Sequence, residues 1–316
     1  MSDKTLLITV LGPTAVGKTA ISTQLASLLG THIISADSRQ FYANMPIGTA
    51  CPSDHELALA PHHFISFLQP EESYSAGRFE QEALALLPTL FKDHRIVVMS
   101  GGSGLYAEAV CEGLDALPSD KQLRQNLINR FHNHGLENLL EELLQLDPDH
   151  YSRIDRKNPH RVIRALEVCI LSGKPYSSLR KALPVGRNFD CLKFALGMSR
   201  ELLYDRINQR VDAMMDAGLL EEAKRLLAYR TCNSLNTVGY KELFDYFDGL
   251  CSLEKAVEDI KQNTRRYAKR QITWLRRMAD VHWIDAEYPE LAVEQIMSIS
   301  ANKYPSLFSN SSSGER

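Results

Sequence analysis

The chain is predicted to fold as an α/β protein: a parallel sheet with helices on both faces, interrupted by an inserted all-helical domain. Short strand-like runs at Leu6–Leu11, His32–Ala36, His63–Leu68, Ile96–Met99, Lys193–Gly197 and Val281–Ile284 alternate with helical patterns, the order that builds parallel sheets. Between Gly113 and about Arg187 the strand signal disappears and helical periodicity takes over. A length of 316 residues suits this division, at about two domains of roughly 150 residues each.

Leu6–Leu11 runs directly into a glycine-rich turn, His32–Ala36 ends at the turn formers Asp37 and Ser38, and Ile96–Met99 ends in Ser100-Gly101-Gly102-Ser103-Gly104. Parallel sheets bind ligands beyond the carboxyl ends of their strands, so function is expected at these turns. In the insertion, helices are expected at Lys121–His132, Leu136–Gln145 and Pro159–Leu171. Hinges are expected at Asp115-Ala116-Leu117-Pro118-Ser119 and Leu183-Pro184-Val185-Gly186, where turn formers coincide with lost periodicity. The sheet resumes at Lys193, the stretch from Arg200 to about Arg277 reads as helical, and Ser309–Arg316 is a polar tail expected to fray. The expected organisation is a core of residues 1–112 and 190–308, an insertion of 113–189 and a tail of 309–316.

Composition narrows the function classes. Hydrophobic residues at 44% and charged residues at 24% exclude wholesale disorder, and a net charge of −3 argues against a globally basic, nonspecific nucleic-acid binder. No run approaches the roughly 18 apolar residues of a membrane span, and the first residues lack signal-peptide organisation, so a cytoplasmic protein without membrane contact is expected. The six cysteines are scattered with no CxxC pair, which disfavours zinc and a disulfide framework. His132/His134 and His62/His63 have no third ligand at metal spacing.

The segment Gly12-Pro13-Thr14-Ala15-Val16-Gly17-Lys18-Thr19 fits GxxxxGKS/T and lies between a predicted strand and a predicted helix, making the expected sheet P-loop NTPase-like. Its glycines let successive N–H groups face one anion, the helix N-terminus adds positive potential, and Lys18 supplies a mobile charge. Thr19 can offer its hydroxyl to a phosphate-bound Mg2+. A kinase or ATPase usually holds that ion with a second-strand carboxylate, yet Ile96–Met99 runs into serines and glycines without one. The nearby carboxylate is Asp37, which this pattern leaves open as a general base or a helix cap.

An otherwise acidic chain carries Lys261, Arg265, Arg266, Lys269, Arg270, Arg276 and Arg277 on one helix with no acid among them, interleaved with Tyr267 and Trp274. Arg266, Lys269, Arg270, Thr273 and Arg277 share a side at helical period, suited to a phosphate backbone or to a plain solvated face. The insertion adds Arg153, Arg156, Lys157, His160, Arg161 and Arg164, and two basic patches favour an extended polyanion.

With these residues in view, the sequence closely resembles the bacterial tRNA dimethylallyltransferase (tRNA isopentenyltransferase) family over nearly its whole length. The resemblance rests on GPTAVGKT at 12–19, ISADSRQFY at 34–42, IGTA at 47–50 and YSAGRF at 74–79. It continues through GGSGLY at 101–106, HRVIRALEV at 160–168, TVGYKEL at 237–243 and KRQITWLR at 269–276.

The resemblance implies transfer of a dimethylallyl group from dimethylallyl diphosphate to the exocyclic amino nitrogen of the adenosine 3′-adjacent to the anticodon, with Mg2+ as cofactor and Thr19 its protein ligand. The partners implied are a tRNA anticodon stem-loop and the isoprenoid donor, and a monomer is expected. Diphosphate would be held by Gly12, Pro13, Thr14, Ala15, Val16, Gly17, Lys18, Thr19 and Arg210, the last matching the family's arginine in the helix after the fifth strand. Asp37 would be the general base, with Thr19, Ser103 and Arg210 completing the catalytic set. RNA contacts are implied at Asp37, Ser38, Arg39, Gln40, Ser103, Arg124, His160, Arg161, Val162, Ile163 and Arg164. They are implied also at Asn236, Thr237, Val238, Gly239, Tyr240, Lys241, Lys269, Arg270, Gln271, Ile272, Thr273, Trp274, Leu275 and Arg276. Ser103 stands where many relatives have threonine, Lys241 where they often have arginine, and His160 where part of the family has glutamine. Lys241 and His160 are open between base and phosphate contacts, and Trp274 between stacking and core packing. Two other readings are a P-loop small-molecule kinase, against which the missing strand-end carboxylate argues, and a noncatalytic RNA binder, against which Lys18, Thr19 and Asp37 argue.

Overall fold

The structure is a computed structural model that describes residues 4–180 and 186–308. The expected tail at 309–316 and Leu183-Pro184-Val185 of the second expected hinge lie outside the described residues. The chain divides into two compact units, one of Met1–Cys111 with Arg187–Arg316 and one of Glu112–Gly186.

The larger unit holds a six-stranded, wholly parallel sheet: β1 (Leu6–Leu11), β2 (Ile33–Ser35), β3 (His62–His63), β4 (Ile96–Gly101), β5 (Asp190–Gly197) and β6 (Val281–Asp285), in the order β3-β2-β4-β1-β5-β6. β1 and β4 are buried along their whole length, as central parallel strands covered on both faces must be. One core, with Leu7, Leu11, Val97, Met99 and Ala195, covers one face, and a second, with Leu6, Ile8, Val10, Val98 and Phe194, covers the other. These alternating sets from the same strands are the period-two signature of a doubly covered sheet.

β3 is shorter than the run His63–Leu68 suggests. Phe64 and Ser66 take φ of 64° and 50°, left-handed values that end strand pairing after His63, and Leu68 rejoins only as a single bridge to Tyr42. The turn drops Phe64 and Phe67 into an aromatic cluster with Phe41, Tyr74 and Phe79, which offsets the strain of a phenylalanine at positive φ.

The smaller unit is helical. Lys121–Leu146 is one helix broken at Gly135 (φ 79°, ψ 179°), at the point where two helices were expected. Pro159–Ser172 packs on it through Leu127, Leu139, Leu143, Val162, Ile163 and Leu166. The unit limits of 112 and 186 depart from the expected 113 and 189. Arg187 belongs to the sheet unit because its guanidinium donates to the carbonyls of Ala109 and Val110 and pairs with Glu80. Among the described residues no helix is long and apolar enough to cross a membrane.

Candidate active site

The sheet ends assemble the site. β1 passes into the phosphate loop, whose left-handed Gly17 (φ 101°) caps the helix Lys18–Leu29, a conformation that costs glycine nothing. The Lys18 ammonium donates to Pro13 O at 2.8 Å, curling the loop back on itself. Burial pushes the Lys18 pKa down to about 8; the Asp37 carboxylate opposes the shift and Arg210 adds to it. Burial also lowers Arg210, with Asp37 again opposing. Two cations close enough to destabilise one another beside a glycine-turned loop and a helix N-terminus form a site prepared for a multiply charged anion.

Asp37 follows β2, and the approach of β2 to β4 places it. Ala36 N donates to Ser100 O at 2.7 Å and Ser103 N to Ala36 O at 3.2 Å. The contact is so tight that a methyl on Gly101 would overlap the Ala36 carbonyl. Asp37 Oδ1 accepts from Arg39 N at 3.1 Å, a local turn rather than a helix cap. Asp37 lines three hollows: the phosphate recess with Lys18, Thr19 and Arg210, a small polar hollow with Thr19, Ser35 and Ser100, and a cavity of about 730 Å³ including open solvent.

The walls of that cavity are largely apolar: Val211, Met214, Leu219, Val238, Ile260 and Tyr267, with Thr14, Arg210 and Gln271 at the polar side. A wider groove, about 1,320 Å³ including open solvent, lies beyond, lined by Ser38, Asn236, Lys241, Asn263 and Arg270 with the acids Glu242, Asp245 and Asp259. Arg39, Thr237, Val238 and Tyr267 line both spaces and so form the threshold between them. Burial pushes the Tyr267 phenol up to about 12, and the Asp37 charge adds to it, so the ring presents a neutral hydroxyl at physiological pH.

Several of the expected contact residues have hydrogen-bond partners within the chain. Gln271 is buried; its Oε1 accepts from Thr14 N and its Nε2 donates to Gly102 O, both at 2.9 Å, bracing the phosphate loop against the β4 turn. Tyr240 is fully buried, its hydroxyl donating to Glu222 at 2.7 Å. Ser103 Oγ accepts from Ser38 N at 3.0 Å and lies 3.1 Å from Ser38 Oγ, tying the β2 and β4 turns together. Gln40 donates to Ala50 O at 2.9 Å, and Arg39 donates to the carbonyls of Asn233, Ser234 and Asn236.

The side chains of Val162, Ile163 and Leu275 are buried in the core, and Ile272 packs against it. Trp274 also packs into the core, against Gly104, where a methyl would overlap the indole. Exposed side chains are His160 and Arg161 in the insertion, and Asn236, Lys241, Lys269, Arg270, Thr273 and Arg276 in the sheet unit. Two of the seven cations counted along the basic helix are neutralised by neighbours: Lys261 by Asp212 at 2.6 Å and Arg265 by Glu258 at 3.3 Å.

Two important residues lie outside the sequence-predicted site, and only one of them left a signal. Glu222, 1% exposed, accepts from Ile47 N at 3.0 Å, Gly48 N at 2.8 Å and the Tyr240 hydroxyl, fixing the short helix Pro46–Thr49 that lines the cavity. Nothing in a Glu-Glu pair on a helix announces backbone partners so far away. Tyr267 was legible in principle, since Ile260, Thr264, Tyr267 and Gln271 follow helical spacing and share the cavity face.

Fold and site together define a P-loop α/β protein whose anion cradle opens onto a mainly apolar cavity past a single carboxylate. A family model described as IPP transferase matches residues 40–278. The chain is 47% identical over 302 residues to tRNA dimethylallyltransferase 1 of Bacteroides thetaiotaomicron, covering 95% of this chain and 98% of that one. It is 50% identical over 280 residues to tRNA dimethylallyltransferase of Christiangramia forsetii, covering 88% and 93%. Among solved structures it resembles the full-length tRNA isopentenylpyrophosphate transferase of Bacillus halodurans, with TM-score 0.71, 38% identity, and 97% and 99% of the two chains covered. It also resembles a eukaryotic dimethylallyltransferase described as acting on tRNA, with TM-score 0.82, 27% identity, and 96% and 80% covered. The chain belongs to the tRNA dimethylallyltransferase family.

Proposed function

We propose that the chain transfers the dimethylallyl group of dimethylallyl diphosphate to the exocyclic amino group of the adenosine 3′-adjacent to the tRNA anticodon. The observation that carries this is the position of Asp37, lining both the phosphate recess and the apolar cavity. A diphosphate in the recess would meet the loop amides, Lys18 and Arg210, while its five-carbon chain would lie against Val211, Met214, Leu219 and Ile260. The amino nitrogen attacks the first carbon of the donor, the carbon–oxygen bond breaks, and diphosphate leaves with the electron pair. The amino proton passes to the Asp37 carboxylate, a transfer that typically contributes 100-fold to 10,000-fold. Lys18 and Arg210 face the charge that develops on the leaving oxygen, where fixed cations in a desolvated recess act most strongly.

Magnesium fits the donors present, because Thr19, Asp37, Ser35 and Ser100 offer hard oxygens around one small hollow. Among the described residues no three His, Cys, Asp or Glu side chains gather as a metal cage, so Thr19 would share the ion with diphosphate oxygens and water. When bound, the ion supplies charge neutralisation for the leaving group.

The target base must leave its stack, at a cost of a few kcal/mol, and reach Asp37 across the threshold of Arg39, Thr237, Val238 and Tyr267. The exposed Lys241, Lys269, Arg270 and Arg276, with His160 and Arg161 in the insertion, are suited to the RNA backbone. The decisive experiment incubates the protein with Mg2+, dimethylallyl diphosphate and an anticodon stem-loop, then weighs the RNA by mass spectrometry. A gain of one dimethylallyl group on the adenosine is expected. Unchanged RNA, or phosphate transfer from ATP to a small molecule, overturns the reading.

A further inference from the structure

The insertion unit carries one carboxylate wholly withdrawn from solvent. Glu167, on the helix Pro159–Ser172, is 0% exposed. Its Oε2 accepts from Arg124 Nε at 3.2 Å, Arg124 Nη2 at 2.6 Å and Arg164 Nη1 at 2.7 Å, and its Oε1 from Asp120 N at 2.9 Å. Arg164 is held further by the carbonyls of Pro118 at 2.9 Å and Leu117 at 3.3 Å. Burial works to raise the Glu167 pKa, but the hydrogen bonds from Arg124, Arg164 and Asp120 N outweigh it and leave the group below the usual carboxylate range.

Two guanidinium groups around one carboxylate leave one positive charge, and it is presented outward. The arginine side chains stay 45% and 31% exposed while their partner has no exposure. Among the described residues nothing takes the Nη1 protons of Arg124. The two helices that the triad joins are already packed through Leu127, Leu139, Leu143, Val162 and Leu166, so apolar residues in place of all three members would serve a purely structural purpose at least as well. A free surface arginine gives up rotamer entropy when it is fixed on a ligand, and one already fixed does not.

We propose that Glu167 is a positioning residue that fixes Arg124 and Arg164 as one rigid fork for an RNA phosphate. The proposal rests on the tRNA reading above. It makes a prediction whose sign opposes simple charge counting: Glu167→Gln adds a positive charge to an RNA-binding unit, yet should weaken RNA binding because the fork comes loose.

The test measures stem-loop affinity as a function of salt for wild type, Glu167→Gln and Arg124→Lys, with inorganic diphosphate binding to the same proteins as a control on the sheet unit. Both variants should bind the stem-loop about tenfold more weakly, the worth of one charge-assisted hydrogen bond. The slope of log affinity against log salt should stay as in wild type for Arg124→Lys, which keeps the charge, and should not steepen for Glu167→Gln despite its added charge, while both bind diphosphate as wild type does. If Glu167→Gln fails to fold, Arg124→Lys decides, because it keeps the charge and the Arg164–Glu167 pair and removes only the planar fork. Stem-loop affinity equal to or tighter than wild type in a folded Glu167→Gln, or in Arg124→Lys, overturns the proposal. Wild-type protein that binds diphosphate but ignores the stem-loop overturns the tRNA reading beneath it.

Discussion

Replacing Glu222 with glutamine tests whether one buried carboxylate holds the floor of the cavity. The side chain is nearly isosteric, so the perturbation is chemical rather than steric. Of the three donors around the carboxylate, Gly48 N and the Tyr240 hydroxyl meet Oε1 and Ile47 N meets Oε2. A glutamine oxygen can serve the first pair, but its NH2 group then faces Ile47 N, donor against donor. One charge-assisted bond, worth about 1.5–3 kcal/mol, is lost, a buried donor is left unsatisfied at about 1–3 kcal/mol, and the surviving bonds become neutral ones. Relief of a buried charge offsets part of this, leaving a net loss of about 3 kcal/mol. At roughly 2–4 °C per kcal/mol for a unit of this size, the melting midpoint should fall by roughly 6–12 °C. Because Gly48 and Thr49 line the cavity, KM for the isoprenoid donor should rise as well. Tyr240→Phe removes one donor and keeps both amide bonds, so it should cost less, and the double variant should cost less than the two single changes combined. Thermal unfolding followed by circular dichroism, with steady-state prenylation, provides the check. A Glu222→Gln protein melting within 1 °C of wild type, as an order-of-magnitude criterion, with an unchanged donor KM, refutes the reasoning.

Asp37→Asn keeps the oxygen that accepts from Arg39 N, so the turn should survive while single-turnover prenylation falls about 100-fold to 10,000-fold and RNA affinity persists; near-normal turnover would remove Asp37 from the base role. Lys18 is protonated below its lowered pKa of about 8, and a bound diphosphate favours the charged form, so binding takes up a proton above that pH. Diphosphate affinity measured by calorimetry should therefore hold below pH 8 and fall above it by up to roughly tenfold per unit, a dependence that Lys18→Met abolishes; a flat profile through pH 9 contradicts it. Gly101→Ala would drive a methyl into the Ala36 carbonyl, so it should destabilise the protein by about 3 kcal/mol or displace Asp37 and remove activity; a soluble, fully active variant would show that the strand ends part easily.

What the sequence made legible is what local chemistry encodes. β1 and β4 announce themselves because strands buried on both faces must be continuous apolar runs, and the phosphate loop because backbone amides and glycines within eight residues build it. β3 is shorter than its apolar run because the run says nothing about the positive φ at Phe64 that turns it into the aromatic cluster. Charge along the chain does not reveal the partners that folding brings across space. Lys261 and Arg265 looked free until Asp212 and Glu258 came alongside, and Arg124 showed no sign of a partner 43 positions away at Glu167. The Arg164–Glu167 pair, three residues apart on one helix, was within reach of helical spacing alone. Glu222 was beyond such reasoning, since its amide partners lie 174 and 175 positions earlier and belong to backbone that any residue supplies.

The brace formed by Gln271 has a consequence for the protein's birth. The amide at Thr14 finds its acceptor 257 residues downstream, and β5, which flanks β1, also comes from the second half of the chain. As the polypeptide leaves the ribosome, its glycine segment therefore lacks the crosspiece that shapes it until Gln271 has been added. A product that stops short of Gln271 should therefore hold a phosphate group less well than the full chain does.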